Sequence, residues 1–245
     1  MSADSRRHDL AAGLAATRDR IARAERAAGR PGGSARLMVV TKYFPAADLA
    51  TLVALGATEF GENREPEAGR KVAQVRTELP DADFSMDMIG SVQRKKATTI
   101  ARWARRVQSV DSVELARAFA VAAGRALDDG TRADRLGVLL QISIDGDPTR
   151  GGVRAADLPA LAEQVAGDDR ALRLDGLMVI PPMHGEVRVH LARAEQLATD
   201  FRRAYPEAVE LSAGMSGDLD IAVEFGSTCV RVGTAIMGPR PLTSP

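Results

Sequence analysis

At 245 residues, with 45% hydrophobic and 27% charged residues, the chain has the composition of a soluble globular protein, enough for one large domain or two small ones. Lys+Arg and Asp+Glu each total 33, a formal net charge of zero that argues against a nucleic-acid surface or a polybasic membrane face. The one cysteine, Cys229, excludes an intramolecular disulfide or a thiolate cluster, and no apolar run reaches the length of a membrane span, so a reducing cytoplasm is expected.

In chain order, Asp9 to Arg30 carries Leu10, Leu14, Ile21 and Ala24 at helical spacing and stops at Pro31-Gly32-Gly33. The apolar run Leu37 to Val40 reads as a strand that delivers Thr41 and Lys42. Beyond Pro45, Leu49, Leu52, Val53 and Leu55 line one helix face. A short strand, Ala57 to Phe60, opens into Gly61-Glu62-Asn63-Arg64, and a polar helix follows to about Leu79. The same alternation repeats through strands at 84–89, 107–110, 136–144, 174–180, 209–211 and 230–232. The helices between them run at 92–103, 115–127, 158–165, 187–205 and 219–225.

Eight strands, each followed by a helix and preceded by one extra N-terminal helix, predict a single (β/α)8 barrel of the TIM type, with a doubly wound sheet as the alternative. The strands are apolar runs rather than alternations, as a parallel sheet buried on both faces requires. Residues 1–245 are then one domain.

Chemistry concentrates at the strand ends. Cys229-Val230-Arg231-Val232-Gly233-Thr234-Ala235 and Gly214-Met215-Ser216-Gly217-Asp218 both run from a strand into Gly, Ser and Thr. Bare N–H groups and hydroxyls without a bulky Cβ suit a phosphate, and the loops after the last two strands are where such barrels hold one. Lys42, at the end of the first strand, falls across the closed seam from these loops. A phosphate cradle beside a lysine with Schiff-base chemistry suggests pyridoxal phosphate (PLP).

Arg231 lies within an apolar strand and needs a buried partner. A pyridine nitrogen would serve, as would a structural carboxylate such as Asp218 or Glu224. An arginine on that nitrogen leaves it unprotonated, which suits a carrier or a racemase better than a transaminase. Asn63 is either a ligand contact or a helix cap. Gln93 is a rim contact or polar filler. Met178 is core, or packs beneath a flat ring. His8, His184 and His190 have no metal spacing, and His184 and His190 are expected on a loop and a solvated helix face. Arg102, Arg105 and Arg106 read as a solvated helix end.

The chain resembles the pyridoxal phosphate homeostasis proteins (YggS/PROSC type), a family similar to the barrel domain of alanine racemase. The resemblance runs from Val39-Val40-Thr41-Lys42 through Phe60-Gly61-Glu62-Asn63, Ile89-Gly90, Gly176-Leu177-Met178 and the stretches at 211–218 and 226–234 to Ile236-Met237-Gly238. It implies PLP as a Schiff base on Lys42, phosphate held by Ser216, Gly233 and Thr234, Arg231 facing the ring nitrogen, and Asn63 and Met178 as near neighbours. It also implies storage, buffering or delivery to PLP-dependent apoenzymes rather than catalysis. Departures are Val92-Gln93-Arg94-Lys95-Lys96 where Leu-Gln-x-Asn-Lys is usual, Ala213 for Met and Ser143 for Asn; in the following loop Asp147, Arg150 and Gly152 stand where Glu, Lys and Gly are typical, so charge is kept.

An amino-acid racemase is the alternative. Racemases of the related fold oppose the lysine with a tyrosine from an added domain of a partner subunit. Few residues follow Ile236, so neither that domain nor a shared-site dimer is expected, and the chain is read as a monomer. Tyr43 and Tyr205 are the two tyrosines. Tyr43 is expected to point away from Lys42 by strand alternation, and Tyr205 to end a helix, which leaves no second base.

Overall fold

The computed structural model describes residues 3–147, 151–182 and 185–240; Arg150 and His184 lie outside them. Among these residues eight parallel strands close in sequence order into a barrel: β1 (Arg36–Val40), β2 (Glu59–Glu62), β3 (Ser85–Met88), β4 (Arg106–Val110), β5 (Leu136–Ile142), β6 (Leu172–Val179), β7 (Glu210–Ser212) and β8 (Cys229–Val232). The seam is β1 against β8, with Met38 opposite Arg231 and Val39 opposite Val232. The helices are α1 (Ala3–Ala27), α2 (Ala46–Ala54), α3 (Glu67–Glu78), α4 (Ala97–Trp103), α5 (Val113–Asp128), α6 (Leu158–Ala166), α7 (Val187–Ala204), α8 (Leu219–Glu224) and α9 (Thr234–Met237). The barrel is therefore the architecture that the strand–helix alternation predicts. No described helix is long and apolar enough to cross a membrane.

Local chemistry explains the elements. In α5, Ser112 caps the N-terminus by accepting from Leu115 N–H at 3.3 Å, and Leu115, Phe119, Ala122 and Ala126 face the sheet at helical spacing. The strands pack outward on these helices through aliphatic side chains, as the 4% aromatic content requires. Cys229 is buried, and desolvation pushes its thiol up to about 11, as its apolar surroundings predict.

The extra helix α1 runs along the outside of the barrel, packed on α2, α8 and α9. Gly13 permits this crossing, because a Cβ there would fall 2.9 Å from Ile236 Cα. Arg6 Nη1 donates to Met237 O at 3.0 Å and its Nε to Asp48, while Arg20 Nη1 donates to Ser216 O at 2.6 Å and pairs with Asp220. One helix thus pins the loops after both β7 and β8.

The opposite end, at the strand N-termini, is closed by alternating charges. Arg36 pairs with Glu59 at 2.9 Å and Glu210 at 2.7 Å. Arg105 reaches Glu59 at 2.8 Å and Asp87 at 3.0 Å, and Arg106 reaches Asp175 at 3.2 Å. Arg105 and Arg106 are therefore not a solvated helix end. They turn into the barrel because β4 begins at Arg106, where interior carboxylates from β2, β3, β6 and β7 converge; only Arg102 stays outside, paired with Asp129. Burial pushes the Asp87 carboxyl up and the arginines oppose it. Burial likewise opposes ionisation of Glu59, yet Arg105 and Arg36 hold its carboxyl below the usual range.

Asp87 is fully buried and faces two arginines, so Asp87→Ala strands uncompensated charge and should cost about 3 to 5 kcal/mol. Urea denaturation monitored by circular dichroism reads the loss as a lowered midpoint; Asp87→Asn, which keeps an acceptor, should lose less.

Candidate functional site

At the C-terminal end of the strands a cavity of about 440 Å³ opens between the loops after β1, β2, β3, β7 and β8. Lys42, Asn63, Ser216, Arg231, Gly233 and Thr234 all line it, so six of the seven residues singled out in the sequence converge. Barrel closure brings Lys42 of the first strand beside Gly233 and Thr234 of the last. Met178, the seventh, is wholly buried in β6 between Gln141 and Ser212 in register, and does not line the cavity. Gln93 lies on the rim of a neighbouring cleft instead, beside Glu65 and Lys96.

The side chain of Arg231 is held from below. Its Nη1 donates to Ser212 Oγ at 2.7 Å and its Nη2 to Val179 O at 2.8 Å. Ser212 Oγ donates to Gln108 Oε1 at 2.7 Å, and Gln108 Nε2 donates to Asp87 Oδ2 at 2.7 Å. A relay of hydrogen bonds therefore crosses the barrel from cavity to floor. Neither Asp218 nor Glu224 takes the hydrogen-bonding role open to it in the sequence: Asp218 accepts from Met215 N–H at 2.6 Å, and Glu224 pairs with Arg188 on the surface. Burial pushes the Arg231 guanidinium down from the ordinary arginine value, although an arginine remains charged.

The Lys42 segment is fixed by its own buried ion pair. Lys71 Nζ lies 2.6 Å from Glu62 Oε1, and the same carboxylate accepts from Thr41 Oγ1 at 2.7 Å. Lys71 Nζ also donates to Thr41 O at 2.9 Å, so the strand end just before Lys42 is tied from both sides.

Tyr43 departs from expectation. The strand has ended at Val40, and Phe44 N–H closes a turn on Thr41 O at 3.1 Å. Tyr43 takes φ 71°, and no other non-glycine residue among those described has a positive φ. Strand alternation does not apply inside a turn, so Tyr43 lines the cavity with Lys42. Its hydroxyl is hydrogen-bonded by the Asn63 side chain, and that bond, opposed by slight burial and aided by Arg240, Lys42 and Arg64, holds the phenol below the ordinary tyrosine value. Asn63 accordingly lines the cavity and is not a helix cap; the position before α3 is Pro66. Tyr205 ends α7 and packs on Phe201, as expected.

Phe44, Ser91, Gln141, Ile180 and Arg240 also line the cavity, and the sequence pattern does not mark them as site residues. Gln141, a lone amide in the apolar run of β5, comes nearest to such a mark. Among the described residues the cavity is lined by three cations, Lys42, Arg231 and Arg240, and by no carboxylate. No group of His, Cys, Asp and Glu among these residues forms a metal site; His8 is exposed on α1 and His190 half-buried on α7.

A family model described as the alanine racemase N-terminal domain matches residues 13–241. A protein of Mycobacterium tuberculosis named pyridoxal phosphate homeostasis protein is 43% identical over 98% of this chain and 96% of its own length. One of the same name from Corynebacterium glutamicum is 45% identical over 87% of this chain and 94% of its own. The chain belongs to the pyridoxal phosphate homeostasis protein family. Among solved structures, PipY of Synechococcus elongatus with PLP bound is 30% identical, with a TM-score of 0.76 over 94% of this chain and 100% of that one. Alanine racemase of Corynebacterium glutamicum shares the fold alone: 16% identity, TM-score 0.67, with 62% of its length covered.

Gly90 packs directly on the segment that presents Asn63; a Cβ at Gly90 would lie 2.8 Å from Asn63 Cα, and Ser109 Oγ holds Gly90 O at 2.6 Å from the other side. Gly90→Ala should displace Asn63 and cost about 1 to 3 kcal/mol of stability. Paired thermal melts of the variant and the wild type check this.

Proposed function

We propose that the chain binds pyridoxal 5′-phosphate as a Schiff base on Lys42 and serves its homeostasis by storage, buffering or delivery, without dedicated turnover. The single observation that carries this reading is the cavity with three cations and no carboxylate, one of the cations being a lysine at a strand end. Such a donor set fits a phosphorylated aldehyde with an acceptor ring nitrogen. Ser216, Gly217, Gly233 and Thr234 offer hydroxyls and small residues for the phosphate, while Arg231, at the barrel end of the cavity, has N–H donors beyond the two that Ser212 and Val179 accept. When bound, PLP supplies an aldehyde that condenses with amines and a ring that withdraws electrons from the bond formed.

The residues themselves bias the site toward holding. Arg231, kept cationic and steered by Ser212 and Val179, donates to a ring nitrogen and so denies it a proton. That weakens electron withdrawal and lowers the value of the site for carbanion chemistry. Glu62 and Lys71 immobilise the backbone that carries Lys42 without touching its amine. The names of the relatives speak of homeostasis and none of turnover, which supports the same reading. The placement of Tyr43 in the cavity removes one ground against a racemase, the want of a second acid–base group; Arg231 tells against a transaminase and suits a carrier and a racemase alike, so the homeostasis names of the relatives carry the choice.

Purified protein mixed with PLP should develop a visible chromophore that borohydride fixes on the peptide containing Lys42. Lys42→Ala should fold normally by circular dichroism and fix none; a fixed adduct on that variant would refute the assignment. Arg231→Ala loses a charge-assisted donor worth about 1.5 to 3 kcal/mol, a roughly ten- to hundredfold weaker retention. Equilibrium dialysis and the absorption maximum check it, and an unchanged affinity and spectrum would separate Arg231 from the ring.

A further inference from the structure

We propose that Tyr43 relays protons between Lys42 Nζ and the departing aldehyde oxygen, and so sets the rate at which PLP is taken up and released. The inference rests on the reading that Lys42 holds the cofactor covalently, and it concerns kinetics where that reading concerns linkage.

Three observations place the phenol for this task. The turn from Thr41 to Phe44 needs a left-handed residue at its third position, a conformation that glycine or asparagine adopts cheaply and tyrosine does not. A tyrosine held there against its backbone preference is turned into the cavity. Its ring is then flanked by two cations, Lys42 Nζ at 5.9 Å and Arg240 Cζ at 4.7 Å from the ring centroid. Its hydroxyl shares the cavity with the side chain of Asn63. The flexible four-carbon stem of Lys42 lets the amine approach the same hydroxyl.

Condensation at Lys42 needs such a group. The neutral amine carries two protons, and both must end on the aldehyde oxygen, which leaves as water while the carbon–nitrogen double bond forms. Tyr43 gives its hydroxyl proton to the oxygen and recovers one from Nζ, and two such exchanges complete the balance with the phenol restored. Release by water runs the same transfers backwards, and no oxidant or reductant enters. The groups that face the phenol are Lys42 on its own segment, Asn63 and Arg64 from the loop after β2, and Arg240 beyond α9; three are cations, and all four favour an ionisable hydroxyl over an inert one. No carboxylate lines the cavity among the described residues to take the role instead.

The test is stopped-flow loading of the full-length protein with PLP from neutral to alkaline pH, with borohydride-fixed occupancy of Lys42 measured at saturation. Tyr43→Phe keeps the ring, the cation contacts and the backbone demand, and should slow loading and release by about tenfold or more with saturating occupancy unchanged. The wild-type rate should fall on the alkaline side, below the ordinary tyrosine value, and the variant should lack that fall. Equal rates, or a slower variant that keeps the alkaline fall, would overturn the relay and leave Tyr43 as packing. No fixed adduct on Lys42 in the wild type would overturn the parent reading, and the relay with it.

Discussion

The arrangement depends on one buried charge. Arg231 sits inside the barrel with no carboxylate in hydrogen-bonding contact, held by a serine hydroxyl and a backbone carbonyl. A guanidinium in such a place is tolerable only if its field is met elsewhere. Asp218 acts on it through space from the loop after β7, and the relay through Ser212 and Gln108 links it to Asp87 at the floor, where the carboxylates of Glu59, Asp87, Asp175 and Glu210 are interleaved with arginines. Neutral links keep the cavity end free to donate to a ligand; a direct carboxylate would have quenched it. The cost is a barrel interior that is polar where many are filled by aliphatic layers.

That division of labour follows the barrel's two ends. The floor carries dense, mutually satisfied ion pairs and answers for stability. The opposite end holds the cavity, lined among the described residues by three cations and no carboxylate, and the proposed binding falls there. Helix α1 joins the two demands: its arginines take the carbonyls of Ser216 and Met237, so the loops beside β7 and β8 keep their shape without spending side chains of the cavity. The close crossing at Gly13 is what brings it near enough.

Much of this was legible in the linear chain. Strand runs and helical spacing located the eight strands within a few residues, most clearly at β1 and β5, where burial on both faces of a parallel sheet leaves an apolar run. Lys42, Ser216, Gly233 and Thr234 were legible because each ends a strand, and strand ends in a barrel share one mouth. Arg105 and Arg106 were misread: a basic run after a helix looks solvated unless its carboxylate partners, distant in sequence, are known. Of the two readings open for Met178, the structure gives the core one, since a strand interior and a strand end differ by one or two residues. Tyr43 was missed for a different reason. The rule of alternation holds only while the chain stays extended, and nothing local announces that it has already turned.

The sequence by itself determined the order of strands and helices, the lysine at the first strand end and the small polar residues at the last two. Those features are set by near-neighbour physics: side-chain periodicity, backbone freedom and the hydrophobic cost of exposure. Only the tertiary structure decided which charges meet, which way Tyr43 and Asn63 face, and why Arg231 remains available. Each of those depends on closure of β1 against β8, which sets residues nearly two hundred positions apart side by side at a separation no local pattern encodes.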